Sequence, residues 1–137
     1  MAHPDMDALL DEALNTASYF LEKNGEFFPF GVTMSPNGKI NHVEGYTGDE
    51  QPPSQEVIDL LLAGMKQGAG KGDYRATALV CDVRVSTPGG PVQDAISVTI
   101  EHHTEEPVTC YLPYISTSGK FNFGDLFTER AERRVFN

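Results

Sequence analysis

The sequence predicts an α+β domain: a five-stranded, mostly antiparallel sheet with helices packed on it, in the order α-β-β-α-β-β-β-α. Three observations predict it. The stretch 74–115 holds three runs, 74–85, 95–103 and 107–115, in which apolar side chains recur at every second position, the mark of a strand. The links between them, Ser86-Thr87-Pro88-Gly89-Gly90-Pro91 and Thr104-Glu105-Glu106-Pro107, have turn chemistry and cannot hold a crossover helix, so these strands are expected as antiparallel neighbours. Two earlier stretches instead space their apolar residues by three and four, as helices do.

The first helix is expected over 4–23. Met6, Leu9, Leu10, Ala13, Ala17, Phe20 and Leu21 form its apolar stripe. Asp5, Asp7, Asp11 and Glu12 crowd its first turns, where the helix dipole favours anions, and Asn24-Gly25 supplies the stop. A strand over 26–34 follows, with Phe28, Phe30, Val32 and Met34 on one face; Pro29 inside it points to an edge position or a bulge. Ser35-Pro36-Asn37-Gly38 is a hairpin turn, and 39–44 returns antiparallel. An irregular loop is expected over 45–53.

The second helix starts at the cap residue Ser54 and runs to about Gln67. Val57, Ile58, Leu61 and Met65 make its buried stripe, which Leu60 and Leu62 widen beyond what one sheet face needs. Gly68-Ala69-Gly70-Lys71-Gly72 breaks it. In the first strand of the meander both parities are apolar through residue 80, so that half is expected to be covered on both faces. In the second, Ile96, Val98, Ile100 and His102 alternate with a wet set: Ser97, Thr99, Glu101 and His103. The third puts Val108, Cys110, Leu112 and Tyr114 on one face. Residues 116–123 read as a loop or weak strand. A short helix is expected over 125–133, with Leu126 and Phe127 inward and Arg130, Arg133 and Arg134 at its end.

A chain of 137 residues fits one domain, 1–137, with a real core. Twenty acidic residues against ten basic give a formal charge of −10. Such a chain repels polyanions, and no basic stripe offsets this, so nucleic acid is excluded as a direct ligand. No run reaches the length of a membrane span and the first residues lack a signal-peptide core, so a cytoplasmic protein without membrane contact is expected. The acidic surface keeps the chain soluble or meets a basic protein partner.

The motifs carry little chemistry. A phosphate loop at 68–72 fails because Met65 stands where its first Gly belongs, Gly72 replaces the Ser or Thr, and a helix precedes rather than follows it. Glu101-His102-His103 is the densest titratable cluster, but adjacent strand residues face apart, and only His42 or Glu44 across the sheet could join either histidine. No metal and no cofactor are therefore expected. Cys81 and Cys110 share parity with aliphatic neighbours and read as buried, reduced thiols. No Gly-x-Ser-x-Gly elbow occurs, and no catalytic residue is assigned. The aromatics around Pro29 and Pro113 suit packing or a partner groove. Leu60, Leu62, Phe27, Tyr111 and Tyr114 form the candidate interaction surface.

The segments Glu26-Phe27-Phe28-Pro29-Phe30-Gly31, Ile100-Glu101-His102 and Tyr111-Leu112-Pro113-Tyr114 together resemble a group of small bacterial proteins without assigned activity. The element order is similar to that of roadblock and profilin-like domains, and roadblock domains are homodimeric scaffolds without catalysis. The expected function is a non-enzymatic protein-binding or regulatory module: a scaffold, as the roadblock resemblance implies, or an immunity-type protein whose acidic face meets a basic toxin; the leucines at 60–62 add the expectation of a homodimer. The alternative is a small hydrolase or small-ligand-binding protein with a pocket between the first helix and the sheet.

Overall fold

The structure is a computed structural model and describes residues 3–45 and 54–137; most of the loop expected over 45–53 lies outside the described residues. Helix α1 spans Pro4–Asn24. His3 caps it, its Nδ1 accepting the Asp5 N–H at 3.1 Å, and Pro4 opens it, where a missing N–H costs nothing. Gly25 ends it in the left-handed region at φ 80° and donates to the Leu21 carbonyl, the cap that only glycine adopts without strain. The buried stripe is the expected one, except that Phe20 packs at its border half-buried.

Strands β1 (Phe30–Met34) and β2 (Ile40–Glu44) form the expected hairpin. The edge position inferred from Pro29 is corrected: β1 lies between β2 and a third strand, and every residue of it is buried. Pro29 sits just before the first paired residue, so no ladder bond is lost. Helix α2 spans Ser54–Gly70, about a turn longer than expected. Gly68 is not its stop. It is buried because the Tyr74 ring lies against it so closely that a Cβ there would overlap the ring.

The meander is as expected: β3 (Ala76–Ser86), β4 (Val92–His102) and β5 (Val108–Thr117) pair antiparallel in sequence order. Two further strands follow, so the sheet has seven strands rather than five, in the order β2-β1-β3-β4-β5-β6 with β7 also on β5. Strand β6 (Lys120–Phe123) pairs the far half of β5, and β7 (Phe127–Arg130) pairs its near half. The helix expected over 125–133 is thus a strand. Its backbone groups are satisfied by β5, a partner that local spacing cannot reveal. Leu126 is exposed, and Phe127 stacks on Tyr111 with ring centroids 5.0 Å apart. The chain passes from β6 to β7 where Gly124 donates to the Pro113 carbonyl. With the last helix gone, the element order departs from the one that resembles roadblock domains.

Alternation sends the core to both faces of the sheet. On one face α1 packs its stripe on Val32, Val80, Val98, Ile100 and Cys110. On the other, α2 packs Val57, Leu61 and Met65 on Leu79 and Cys81. Residues 76–81 of β3 are all buried, as expected for a strand covered twice. Helix α2 covers β1 and β3 and stops there. The same face of β4, β5 and β7 is left to the segment after β7, whose Val135 plugs into the α2 cluster. Among the described residues, no helix is long and apolar enough to cross a membrane.

Candidate functional site

The face that α2 leaves open carries a groove of about 400 Å³. Its floor is set by register. Ser97 lies opposite Tyr111, and Thr99 opposite Thr109, across β4 and β5; Glu129 of β7 lies opposite Thr109. These are odd-numbered residues, so all point to the α2 side. Val83 and Val85 form one wall, and Ala131, Glu132 and Arg134 of the segment after β7 form the other. The wet face expected for β4 is therefore half wrong. Thr99 is partly open to the groove, but Ser97 is buried at its floor, its hydroxyl 3.5 Å from the Cys81 carbonyl, and Glu101 is buried at 2% exposure beneath that segment.

The groove is built for hydrogen bonding. The Thr99 and Thr109 hydroxyls lie 3.0 Å apart. One donates to the other, so the second O–H is not used within the pair. The Tyr111 O–H donates to Glu129 Oε1 at 2.6 Å. Burial, together with the Glu129 carboxylate, pushes that phenol up to about 12. It stays protonated at neutral pH with its O–H committed to Glu129, so toward the groove the phenol oxygen can only accept.

A second constellation pins the start of α1 to the end of β4. Asp5 Oδ2 accepts from His102 Nε2 at 2.9 Å, and Asp5 Oδ1 accepts from Arg75 Nη2 at 2.7 Å. Burial alone would raise the Asp5 carboxyl, but the bonds from His102 and Arg75 outweigh it and hold the group below the usual carboxylate range. Arg75 also donates to the Pro36 carbonyl in the β1–β2 turn. The two histidine nitrogens and the Asp5 oxygen (His3, Asp5, His102) lie within 4.8 Å of one another, close enough to suggest a metal centre.

The hydrogen bonds argue against that reading. The Thr104 backbone N–H donates to His102 Nδ1 at 3.1 Å. A backbone N–H can only donate, so Nδ1 holds a lone pair and the proton of the neutral ring is on Nε2. That nitrogen gives its proton to Asp5 and has no lone pair for an ion. The His3 lone pair at Nδ1 is likewise taken by the Asp5 N–H. The group is a hydrogen-bonded clasp. Sequence alone pointed to His42 or Glu44 as partners of these histidines. His42 instead meets Glu12 of α1 at 2.9 Å. His103 lies beyond the strand, exposed, and its ring sits 4.7 Å from that of His102 rather than facing away.

The five residues of the expected interaction surface do not share a face. Leu60 is exposed on α2, while Leu62 is partly buried against the α2 cluster. Phe27 packs half-buried on the α1 side, and Tyr114 is buried there. Tyr111 alone reaches the groove. Cys81 and Cys110 are buried, on opposite faces of the sheet. The residues that sequence reasoning did not assign to a site are Thr99, Thr109, Glu129 and Arg134. The two threonines sit on the wet parity of a strand, which is a signal, but the other two needed the β5–β7 pairing.

Compared with protein-family models, with curated proteins and with solved structures, the chain matches none. The site is read from its own geometry.

Proposed function

We propose that the chain is a non-enzymatic binding module whose working face is the groove on β4, β5 and β7, and that its ligand is a small polar organic molecule. The observation that supports this is a concave groove on the sheet face beside α2, floored by Ser97, Thr99, Thr109 and Tyr111, of which Thr99 and Tyr111 are partly open. The Thr–Thr pair supplies a donor, and the Tyr111 oxygen, its proton already given to Glu129, supplies an acceptor. That combination suits recognition better than proton transfer. A carbonyl, carboxylate or hydroxyl-bearing ligand satisfies the spare O–H of the threonine pair.

A protein partner has less support. The surplus of leucine expected on α2 reduces to Leu60, since Leu62 is packed within the chain, and one exposed leucine is ordinary surface.

Backbone amide NMR on the full chain with a library of hydroxylated and carboxylated fragments tests the proposal. Hits are expected to shift Ser97, Thr99, Thr109 and Tyr111, and Thr109→Val is expected to weaken them about tenfold, the effect of one good hydrogen bond. Fragments that bind only elsewhere, or none that binds at millimolar concentration, would overturn it.

A further inference from the structure

One wall of the groove is held in an unusual way. Past Ala131, whose N–H still bonds the Pro107 carbonyl at 3.3 Å, the segment 132–137 makes no ladder with the sheet. Instead a single atom, Glu101 Oε1, accepts the backbone N–H groups of Arg134, Val135 and Phe136 at 2.9, 3.0 and 3.4 Å. Three successive N–H groups turned on one oxygen form a small anion nest. The carboxylate is itself buried at 2% exposure. Just upstream, Arg133 donates to the His102 carbonyl at 3.0 Å and the Glu105 carbonyl at 2.6 Å. Val135 fills the α2 cluster at 4% exposure.

We infer that this segment is a strap that opens and closes the groove, with Glu101 as its latch. The inference rests on the groove being the ligand site. A strand in a ladder gives up its bonds one at a time, with each neighbour holding the next. Here the three bonds share one acceptor, so losing that acceptor releases all three together. The released residues begin with Arg134 of the groove wall. The β3–β4 ladder beneath runs for eleven paired positions and does not depend on the strap. Opening is therefore a local event, of the kind that lies far below global unfolding in free energy. Glu101 is a positioning residue: it touches the strap and never the ligand.

Hydrogen exchange of the full chain tests this without any ligand. In Glu101→Ala, the amides of 134–136 are expected to exchange at least about tenfold faster, since all three lose their acceptor, while β3–β4 amides keep their protection. Glu101→Gln keeps a carbonyl oxygen and is expected to fall between. Arg133→Met loosens the strap from its other anchor without touching the buried acid, and is expected to speed the same amides. If β3–β4 protection falls in step with 134–136 in both Glu101→Ala and Arg133→Met, or if neither variant speeds the strap, the latch is wrong. Strap exchange that responds as expected, in a protein whose groove binds no fragment, supports the latch and removes the ligand reading instead. Where fragments bind, Glu101→Ala is expected to raise their dissociation rates about tenfold; unchanged rates would show that the strap does not gate the groove.

Discussion

Asp5 and His102, 97 positions apart in the chain, meet in a hydrogen bond of 2.9 Å from Nε2 to Oδ2. The bond ties the first turn of α1 to the last residue of β4, and Arg75 holds the other carboxylate oxygen. Asp5→Ala strands both partners. Because Arg75 and Asp5 remain partly open to solvent, the cost is expected at about 1–2 kcal/mol, below that of a fully buried pair. The pH dependence follows from the lowered Asp5 carboxyl. Its contribution is whole above the ordinary carboxylate value and is lost as pH falls through the lowered one. The gap between wild type and Asp5→Ala in urea titrations is thus expected to be full above about pH 4 and to narrow steadily as pH falls further. A gap that stays constant from about pH 6 into the acid range would mean that the carboxylate is not its source.

Asp82 behaves in the opposite sense. Tyr114 donates to its Oδ1 at 2.5 Å. Burial raises the carboxyl, and the nearby Asp94 and Glu26 raise it further, against the lowering by the Tyr114 bond. A raised group stabilises the fold below its ordinary value and loses that contribution as pH rises through the folded one. The ionised form of Asp82 is therefore a burden on the fold. Asp82→Asn keeps an acceptor for Tyr114 and is expected to raise the melting temperature by about 2 °C at pH 7. The gain should vanish toward pH 4. Calorimetry at the two pH values checks it; a loss at pH 7 would contradict the sign.

The thiols are expected to be inert. Burial pushes Cys81 and Cys110 up to about 11, so almost no thiolate exists at neutral pH. They also lie on opposite faces of the sheet and cannot pair without unfolding. Labelling by an aromatic disulfide reagent should take hours in the native protein and minutes in denaturant. Rapid native labelling of either residue would show that its strand opens locally.

Chelation is expected to leave the melting temperature unchanged, and zinc in tenfold excess to raise it by less than about 1 °C. The reason is the proton on His102 Nε2, fixed by the Thr104 N–H on the opposite nitrogen. Stabilisation by several degrees would mean that zinc displaces that proton and recruits His3, Asp5 and His102 as ligands.

The sheet was legible where pairing is local. The β1–β2 hairpin and the β3–β4–β5 meander are encoded in alternation and short turns. The strand β6 showed only as the loop-or-weak-strand reading of 116–123, and β7 not at all, because four residues are too few to show a period and their order comes from β5. Asp125–Arg133 also mimics a helix, with two apolar residues followed by arginines. The site was legible only in part. Glu101 has the same alternation as Ser97 and Thr99, so nothing in β4 tells that a distant strap buries it. The clasp was hidden for the same reason: Asp5 reads as one more acid in a helix's first turn, where it needs no partner.

The same topology orders the events of folding. From β3 to β5, neighbours in the sheet are neighbours in sequence, joined by turns that close quickly. The β1–β3 pairing must wait for β2 and α2 to be spanned, and the clasp for nearly the whole chain. A transition state built on the meander, with α1 still undocked, is the expected result. Val98→Ala, in the centre of β4, should then slow folding in proportion to its cost. Asp5→Ala should leave the folding rate alone and speed unfolding. The residues that give the native molecule its lifetime are therefore not the ones that start it.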